Sequence, residues 1–258
     1  MLKKNAKRKL KESVTPVLFL IGFLLAWEIF ILTFNISEFF LPRPSKVFLE
    51  FATQFKFLLV HLGITMLEAV SGYILAVALS FALAVIFVHS KIIERGVYPY
   101  VIALKITPVL ALAPFLVLCF GIGISSKIAI VAIICFFPLL VNTLKGFKTA
   151  DEEMLDMFKS FSAGKKQIFL KLRLPNSLPY IFSGLKISTV LAMTGAFVGE
   201  YIASNKGIGY LILASARTFD TVFAFAAVIM TILAGLLFFF LISLIEKKIV
   251  FWQKSGEA

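Results

Sequence analysis

Six stretches of this chain are apolar enough, and nearly all are long enough, to cross a lipid bilayer as helices. A transmembrane helix needs about 20 mainly apolar residues, because the hydrocarbon core is about 30 Å thick. Hydrophobic residues make up 60% of the 258 residues, so a soluble fold could not cover its apolar surface. The predicted spans are Pro16–Phe34, Ile64–Val88, Tyr98–Phe120, Ile128–Leu144, Leu178–Ala203 and Val222–Ile245. The sequence therefore predicts an all-α, polytopic membrane protein with about six transmembrane helices.

Lys and Arg are distributed unevenly over the connecting segments, and this bias predicts the orientation. With the N-terminus placed inside, the inner segments carry eighteen of these residues and the outer segments six. Because positive charge gathers in cytoplasmic loops, both termini are predicted to face the cytoplasm. We expect a basic N-terminus (1–15), a single transmembrane domain (16–245) and a cytoplasmic tail (246–258). The formal net charge of +12 follows from the same bias, so no nucleic-acid partner is expected.

The two cysteines and two histidines do not suggest a metal site. Cys119 and Cys135 both lie within apolar runs, as small buried hydrophobic residues do. The histidines show no paired spacing, and no span carries clustered His, Asp or Ser at catalytic spacing. We therefore expect no catalytic residues, no metal and no cofactor, which argues against a membrane enzyme.

The segment after the first span, Asn35–Gly63, is predicted to contain a short helix. Residues 41–45 read Leu-Pro-Arg-Pro-Ser, and each residue before a proline is driven out of the α region. Ser45 is expected to cap a helix whose apolar residues share one face: Val47, Phe48, Phe51 and Phe55. We expect this helix to lie along the outer membrane surface.

The polar segment 145–176 is predicted to form two short helices on the cytoplasmic side. Thr149 and Glu152 have the spacing of a capping box at the start of the first helix. The apolar residues of that helix recur on one face: Met154, Met157, Phe158 and Phe161. Ser162 is expected to cap the second helix, 163–173. The apolar face either docks into a partner groove or packs on the protein's own spans or lipid.

Charged residues inside the predicted spans are candidates for the transport path. Lys105 lies close to Pro108 in the third span, and a charge at membrane depth often marks a pathway. Its side chain could equally snorkel to the cytoplasmic head groups. Glu200, near the outer end of the fifth span, is a second candidate or a structural ion-pair partner. Glu28 and Glu68 are expected to pair with Lys or polar groups across helices.

Segment 145–176 resembles the cytoplasmic signature of permeases of ABC importers that work with a binding protein. That signature reads Glu-Ala-Ala, three residues, Gly, nine residues, an aliphatic residue, one residue and Leu-Pro. With the Leu-Pro pairs aligned, the signature positions fall on Asp156, Met157, Phe158, Ser162, Leu172, Leu174 and Pro175. The spacing and the acidic first position match, whereas both alanines and the glycine are replaced.

The resemblance extends over nearly the whole chain, to the nitrate, sulfonate and taurine branch of these permeases. The matching elements are residues 41–45, 61–72, 114–123, 137–138, 142–143, 174–186, 199–200 and 207–212. Their order and spacing together carry the resemblance. The same branch includes transporters of pyrimidine and flavin vitamin compounds. The solute is therefore expected to be a sulfonate-like or nitrate-like anion or a vitamin compound of that kind.

The resemblance implies the permease subunit of an ATP-driven importer in a bacterial inner membrane. The implied partners are a second permease copy, an ATP-binding subunit, an extracytoplasmic binding protein and membrane lipid. The residues implied to couple to the ATPase are Asp156, Met157, Phe158, Phe161, Ser162, Leu172, Leu174 and Pro175. Gly184, Gly195 and Gly199 in the fifth span are expected to pack at the dimer axis, since small residues allow close helix approach.

ATP hydrolysis is expected to reside in a partner, because the chain lacks a Gly-x-x-x-x-Gly-Lys-Ser/Thr phosphate-binding stretch. The alternative is a secondary transporter or channel that needs no ATPase. Such a protein would show more ionisable residues at mid-depth, or broken helices in two related repeats. The sequence has one lysine near mid-depth and no convincing repeat, which favours the importer.

Overall fold

A computed structural model gives the backbone of residues 2–252 and the side chains of residues 14–252. The predicted basic N-terminus (1–15) and tail (246–258) therefore lie partly outside the described residues. The helices are α1 (Leu2–Thr33), α2 (Pro44–Thr53), α3 (Phe55–His89), α4 (Lys91–Ile106), α5 (Val109–Phe120), α6 (Ile124–Lys148), α7 (Glu152–Ser160), α8 (Lys165–Ile168), a π-helical turn (Phe169–Arg173), α9 (Leu174–Ala203), α10 (Ile208–Thr218) and α11 (Thr221–Ile249). No strand occurs between residues 2 and 252.

Among the described residues, five helices are long and apolar enough to cross a membrane: α1, α3, α6, α9 and α11. The α4–α5 pair makes a sixth candidate if it is counted as one bent span. The predicted all-α fold with about six spans is therefore confirmed. Some bounds differ from the prediction; α3, for example, begins at Phe55 rather than Ile64.

The third predicted span, Tyr98–Phe120, is wrong as a single helix, because α4 and α5 meet at 101°. Pro108 has no N–H to continue the ladder, and it drives the preceding residue out of the α region. Thr107 accordingly lies at φ −65° and ψ 125°, and its N–H makes the last α4 bond, to the Ala103 carbonyl. Pro108 then opens α5, where its carbonyl accepts from the Ala111 N–H at 2.9 Å.

The described residues divide into two compact units, 2–59 with 211–230 and 60–210 with 231–252. The core of the second unit is formed by α3, α6, α9 and α11, and it is built largely from alanines around a few large side chains. Tyr73 packs edge-on against Phe238 there, with ring centroids 5.1 Å apart. Cys135 is buried in this core, as predicted, whereas Cys119 is exposed.

Helices α6 and α9 approach each other closely along a glycine seam, which consists of Gly146, Gly184, Gly195 and Gly199. A β-carbon at Gly195 would lie 2.9 Å from the Val131 Cα, and one at Gly199 would lie 2.9 Å from the Lys127 Cγ. Only residues without a side chain fit at such distances. The expectation that the α9 glycines pack at a dimer axis is therefore wrong, since they pack on α6 of the same chain.

In the first unit, α2 is confirmed as a short helix, but Ser45 does not cap it. The helix begins at Pro44, and Arg43 at the capping position makes no side-chain bond to the helix. Glu28 of α1 supplies the acceptor instead, taking the Ser45 N–H at 3.0 Å and its hydroxyl at 2.8 Å. The carboxylate sits at the positive end of α2, which stabilises both helices. The predicted pairing of Glu28 with a polar group is thus confirmed.

Candidate coupling segment and transport path

The first short helix of the predicted cytoplasmic segment is α7, and its cap differs from the prediction. Asp151 is the N-cap residue, and its carboxylate accepts the Glu153 N–H at 3.1 Å. Thr149 instead closes α6, where its hydroxyl donates to the Lys145 carbonyl at 2.7 Å. The predicted capping box is therefore wrong, because α6 continues to Lys148 and uses Thr149 at its own end.

The apolar face of α7 is exposed in this chain. Met154 and Met157 are each 50% exposed, and Phe161 is 78% exposed. On the opposite side of the helix, Asp156 pairs with Lys159 at 2.7 Å in solvent. Phe158, the fourth side chain of this face, is partly buried, so the protein's own spans cover only part of the face. A large exposed apolar face on a polar helix is typical of a docking surface.

Helix α7 ends in a Schellman motif centred on Ser162. The Ser162 N–H donates to the Lys159 carbonyl at 2.8 Å, and the Ala163 N–H donates to the Phe158 carbonyl at 3.0 Å. This motif needs one residue in the left-handed conformation, usually glycine, and Ser162 lies there at φ +56°. In the resemblance described above, the signature glycine falls on this residue, and glycine is the residue that most readily adopts a left-handed conformation. Ser162 ends α7 and does not cap the following helix, whose N-cap position is Gly164.

The chain stays helical from α8 into α9, so the predicted helix end at Leu174-Pro175 is wrong. Pro175 cannot donate a backbone bond, and the ladder shifts by one residue to accommodate it. The Leu174 N–H bonds to the Phe169 carbonyl, five residues back, which forms the π-helical turn. Leu172 is buried under this turn, and it anchors the segment to the rest of the unit.

Both ends of segment 145–176 are tied to the α6–α9 pair. The Asn176 side-chain amide donates to the Thr149 carbonyl at 3.2 Å, joining the start of α9 to the end of α6. Beside this bond, a β-carbon at Gly146 would lie 2.9 Å from the Ser177 Cβ. Phe147 of α6 packs edge-on against Phe169 of the π-helical turn, with centroids 5.1 Å apart. The segment that carries α7 is therefore bound at both of its ends to α6 and α9.

Two of the predicted path residues lie at the bend between α4 and α5. Lys105 is in the last turn of α4, exposed, and Pro108 forms the bend itself. The Lys105 ammonium lies 4.4 Å from the centroid of the Phe137 ring on α6, a cation–π contact. This contact holds the cation beside the bend.

The third predicted path residue, Glu200, is enclosed within the chain at the end of α9. It is 1% exposed, and its two oxygens accept from the Thr65 hydroxyl and the Gly209 N–H, each at 2.6 Å. Nearby, the Lys127 ammonium pairs with Glu68 at 3.3 Å, which confirms the predicted pairing of Glu68 across helices. Lys105 and Pro108 thus lie together at the bend between α4 and α5, whereas Glu200 lies in a buried cluster of polar groups.

Lys127 and Thr65 are residues of this cluster that the sequence did not single out. Lys127 was predicted in an outer loop, but it lies in the first turn of α6 with its side chain 8% exposed. Its partner Glu68 is far away in sequence, so no local pattern connects them. The signal that could have found it is an isolated lysine between two glycines and a long apolar run.

Comparison with known proteins shows that this chain is similar to membrane permeases. Residues 72–251 match the family described as "Binding-protein-dependent transport system inner membrane component". The chain is 33% identical over 245 residues to a formylaminopyrimidine transport permease of Halalkalibacterium halodurans, covering 95% of this chain and 98% of that protein. It is 31% identical to a riboflavin transport permease of Chloroflexus aurantiacus, covering 90% of this chain and 87% of that protein.

A putative aliphatic sulfonates permease of Bacillus subtilis is 30% identical, covering 86% of this chain and 81% of that protein. Among solved structures, the inward-facing methionine ABC transporter superposes with a TM-score of 0.60 at 17% identity, covering 75% of this chain and 96% of that chain. At that identity the superposition speaks for the fold alone. The chain belongs to the family of binding-protein-dependent transport system inner membrane components, the ABC importer permeases whose ATPase is a separate subunit.

Proposed function

We propose that two copies of this chain, with both termini in the cytoplasm, form the membrane path of an importer for a small polar solute. The binding protein delivers the solute on the outer side, and the ATPase engages segment 145–176 on the inner side. The solute carries an anionic group or a strong hydrogen-bond acceptor, as sulfonates, pyrimidines and flavins do. Permeases named for a formylaminopyrimidine, riboflavin and aliphatic sulfonates are full-length relatives, which supports this class.

The observation that carries the proposal is the exposed apolar face of α7 on a segment bound at both ends to α6 and α9. Met154, Met157 and Phe161 present flexible and aromatic side chains that adapt to a groove. Ser162 closes the helix and the Asn176–Thr149 bond fixes its base. A docked ATPase would therefore move the two central helices together with α7.

The proposed homodimer is supported by the exposure of α1. In the most apolar 18-residue stretch of α1, only 6% is buried within the chain, whereas 44% of the corresponding stretch of α6 is buried. Such a helix needs lipid, a second copy, or both around it to bury its side chains. Cysteine cross-linking along α1 in native membranes measures this, and disulfide-linked dimers are the expected product. A cross-linking pattern of isolated monomers at every α1 position would contradict the dimer.

The coupling role is tested by truncating the apolar face of α7. We expect the double substitution Met157→Ala and Phe161→Ala to weaken ATPase retention in co-purification by about 10-fold or more, since each buried apolar side chain contributes about 1.5–3 kcal/mol. Lys159→Ala, on the opposite side of the same helix, is the matched control and should retain the ATPase. Membrane insertion should be unchanged in both. Full retention by the double variant, together with transport that does not depend on ATP, would overturn the proposal.

A further inference from the structure

A cluster of buried polar groups closes the end of α9 that is opposite to the coupling segment. Thr65 and Glu200 are each 1% exposed, and the Thr65 hydroxyl donates to the Glu200 carboxylate at 2.6 Å. The same hydroxyl oxygen accepts the Ile208 N–H at 2.9 Å, and the second Glu200 oxygen accepts the Gly209 N–H at 2.6 Å. We call Thr65, Glu200 and the backbone of residues 207–209 the glutamate clasp.

The glutamate clasp is built around the carboxylate of Glu200. A β-carbon at Gly209 would lie 2.9 Å from a Glu200 oxygen, and one at Gly207 would overlap the carboxylate itself. Gly207 also adopts φ +101°, which L side chains rarely adopt. The Gly207 N–H donates to the His61 ring nitrogen at 3.0 Å. The turn from α9 into α10 is therefore held by the Glu200 side chain, which accepts a backbone N–H in the first turn of α10.

The glutamate clasp and the neighbouring Lys127 connect three long helices, α3, α6 and α9. Thr65 belongs to α3 and Glu200 to α9, and the stem of Lys127 from α6 packs over Gly199 next to Glu200. The Lys127–Glu68 pair adds a second bridge between α6 and α3. Every side chain in these bridges is at least nine-tenths buried, so water does not weaken the contacts.

The two ends of the α6–α9 pair are thus held in similar ways. The coupling segment is bound at one end through Asn176 and Thr149, and the glutamate clasp is bound at the other. Between them runs the glycine seam, where α6 and α9 lie so close that an added β-carbon would meet the facing helix. The α6–α9 pair therefore connects the coupling segment to the glutamate clasp through closely packed helices.

We propose that Glu200 is a positioning residue that locks the turn at 204–210 to the α6–α9 pair. Through it, movement of the coupling segment is carried to the outer mouth of the path. This inference rests on the proposed importer function and extends it to the outer side. Glu200 acts through the turn and does not touch the solute. Loosening the clasp should therefore let ATP be hydrolysed without a matching opening of the outer mouth.

The test uses the assembled importer in proteoliposomes with its binding protein, and it measures solute transported per ATP hydrolysed. Thr65→Val keeps the shape of Thr65 and removes the hydroxyl that joins Glu200 to Ile208. We expect it to lower the ratio about 10-fold, within the range of measured couplings between sites. Thr65→Ser keeps the hydroxyl and should restore the ratio. The amount of assembled complex and the basal ATPase rate should match those of the wild type.

Tyr73→Phe is the control for a purely structural role. It removes a different bond in the same unit, from the Tyr73 hydroxyl to the Leu185 carbonyl at 3.2 Å. A structural role predicts that both variants lower the yield and leave the ratio unchanged, and that result would overturn the inference. If the wild-type complex itself shows no ATP-dependent transport, the proposed function fails instead. Wild-type coupling with a normal ratio in Thr65→Val refutes the clasp alone.

Discussion

The carboxylate of Glu200 occupies the space that a β-carbon at Gly207 would need. Glycine at this position is therefore required twice, once for the positive φ and once for the room. A turn with both requirements tolerates no side chain. Substitutions at this glycine and at a glycine with open space around it therefore separate the cost of backbone strain from the cost of steric overlap.

Gly207→Ala should destabilise the protein far more than Gly121→Ala. Gly121 also has a positive φ, +81°, but nothing lies within 4 Å of its missing β-carbon. The Gly121 change should cost about 1–2 kcal/mol from the left-handed backbone alone, and the Gly207 change about 1–3 kcal/mol more from overpacking. Thermal unfolding in detergent measures the difference. Equal losses in the two variants would contradict the overlap with Glu200.

Ser162→Gly should tighten the end of α7. Glycine adopts the left-handed conformation without the strain of a β-carbon, so the Schellman motif gains about 1 kcal/mol. Hydrogen exchange should then slow about five-fold at the amides of Ser162 and Ala163, whose bonds close the motif. Gly164→Ala is the control, because that residue has φ −70° and its β-carbon would meet only the Gln167 Oε1, at an ordinary contact distance of 3.9 Å. Faster exchange in Ser162→Gly would contradict the motif.

Pro175→Ala should change the register between the coupling segment and α9. Alanine supplies the missing N–H, so the π-helical turn at Phe169–Arg173 can return to α-helical bonding. Side chains before the turn would rotate by about 100° relative to α9, since an α-helix has 3.6 residues per turn. We expect the folded protein to remain and ATPase-driven transport to fall. A variant with normal transport would show that this register does not matter for coupling.

Lys105→Met should raise the KM for an anionic solute while preserving the apolar stem of the side chain. A lost hydrogen bond to a charged group corresponds to about 10- to 100-fold in affinity. Lys105→Arg keeps a cation over the Phe137 ring and should retain most of the affinity. Uptake of labelled sulfonate, pyrimidine and riboflavin by the assembled importer compares the solutes. An unchanged KM for all three would favour a snorkelling lysine.

The spans could be predicted because the hydrophobic pattern of each is local. The bend between α4 and α5 could not, since Pro108 lies in an apolar run whose hydropathy is the same for a straight helix and a bent one. Pro138 in α6 shows the same ambiguity with the opposite result, because α6 continues through it. Whether a proline breaks a helix depends on neighbouring groups that donate a hydrogen bond to the freed carbonyl, and those groups can be distant in sequence.

The candidate site, like the spans, could be predicted only in part. Spacing predicted the helix α7 and its apolar face, but Thr149 and Asp151 both suit a helix start, and only the length of α6 decides between them. Glu200 was noticed as a charge near a membrane surface. Its partners Thr65 and Gly209 come from an earlier span and a later turn. A single sequence does not contain that long-range pairing.

The helix that runs without interruption from Lys165 to Ala203 has 39 residues. At 1.5 Å per residue it is about 58 Å long. A whole bilayer with its head groups measures about 45 Å at most. Unless it is strongly tilted, this helix therefore projects beyond the head groups into the aqueous phase. In the proposed importer, that overhang would carry α7 within reach of a soluble subunit, so that the ATPase could bind without entering the membrane.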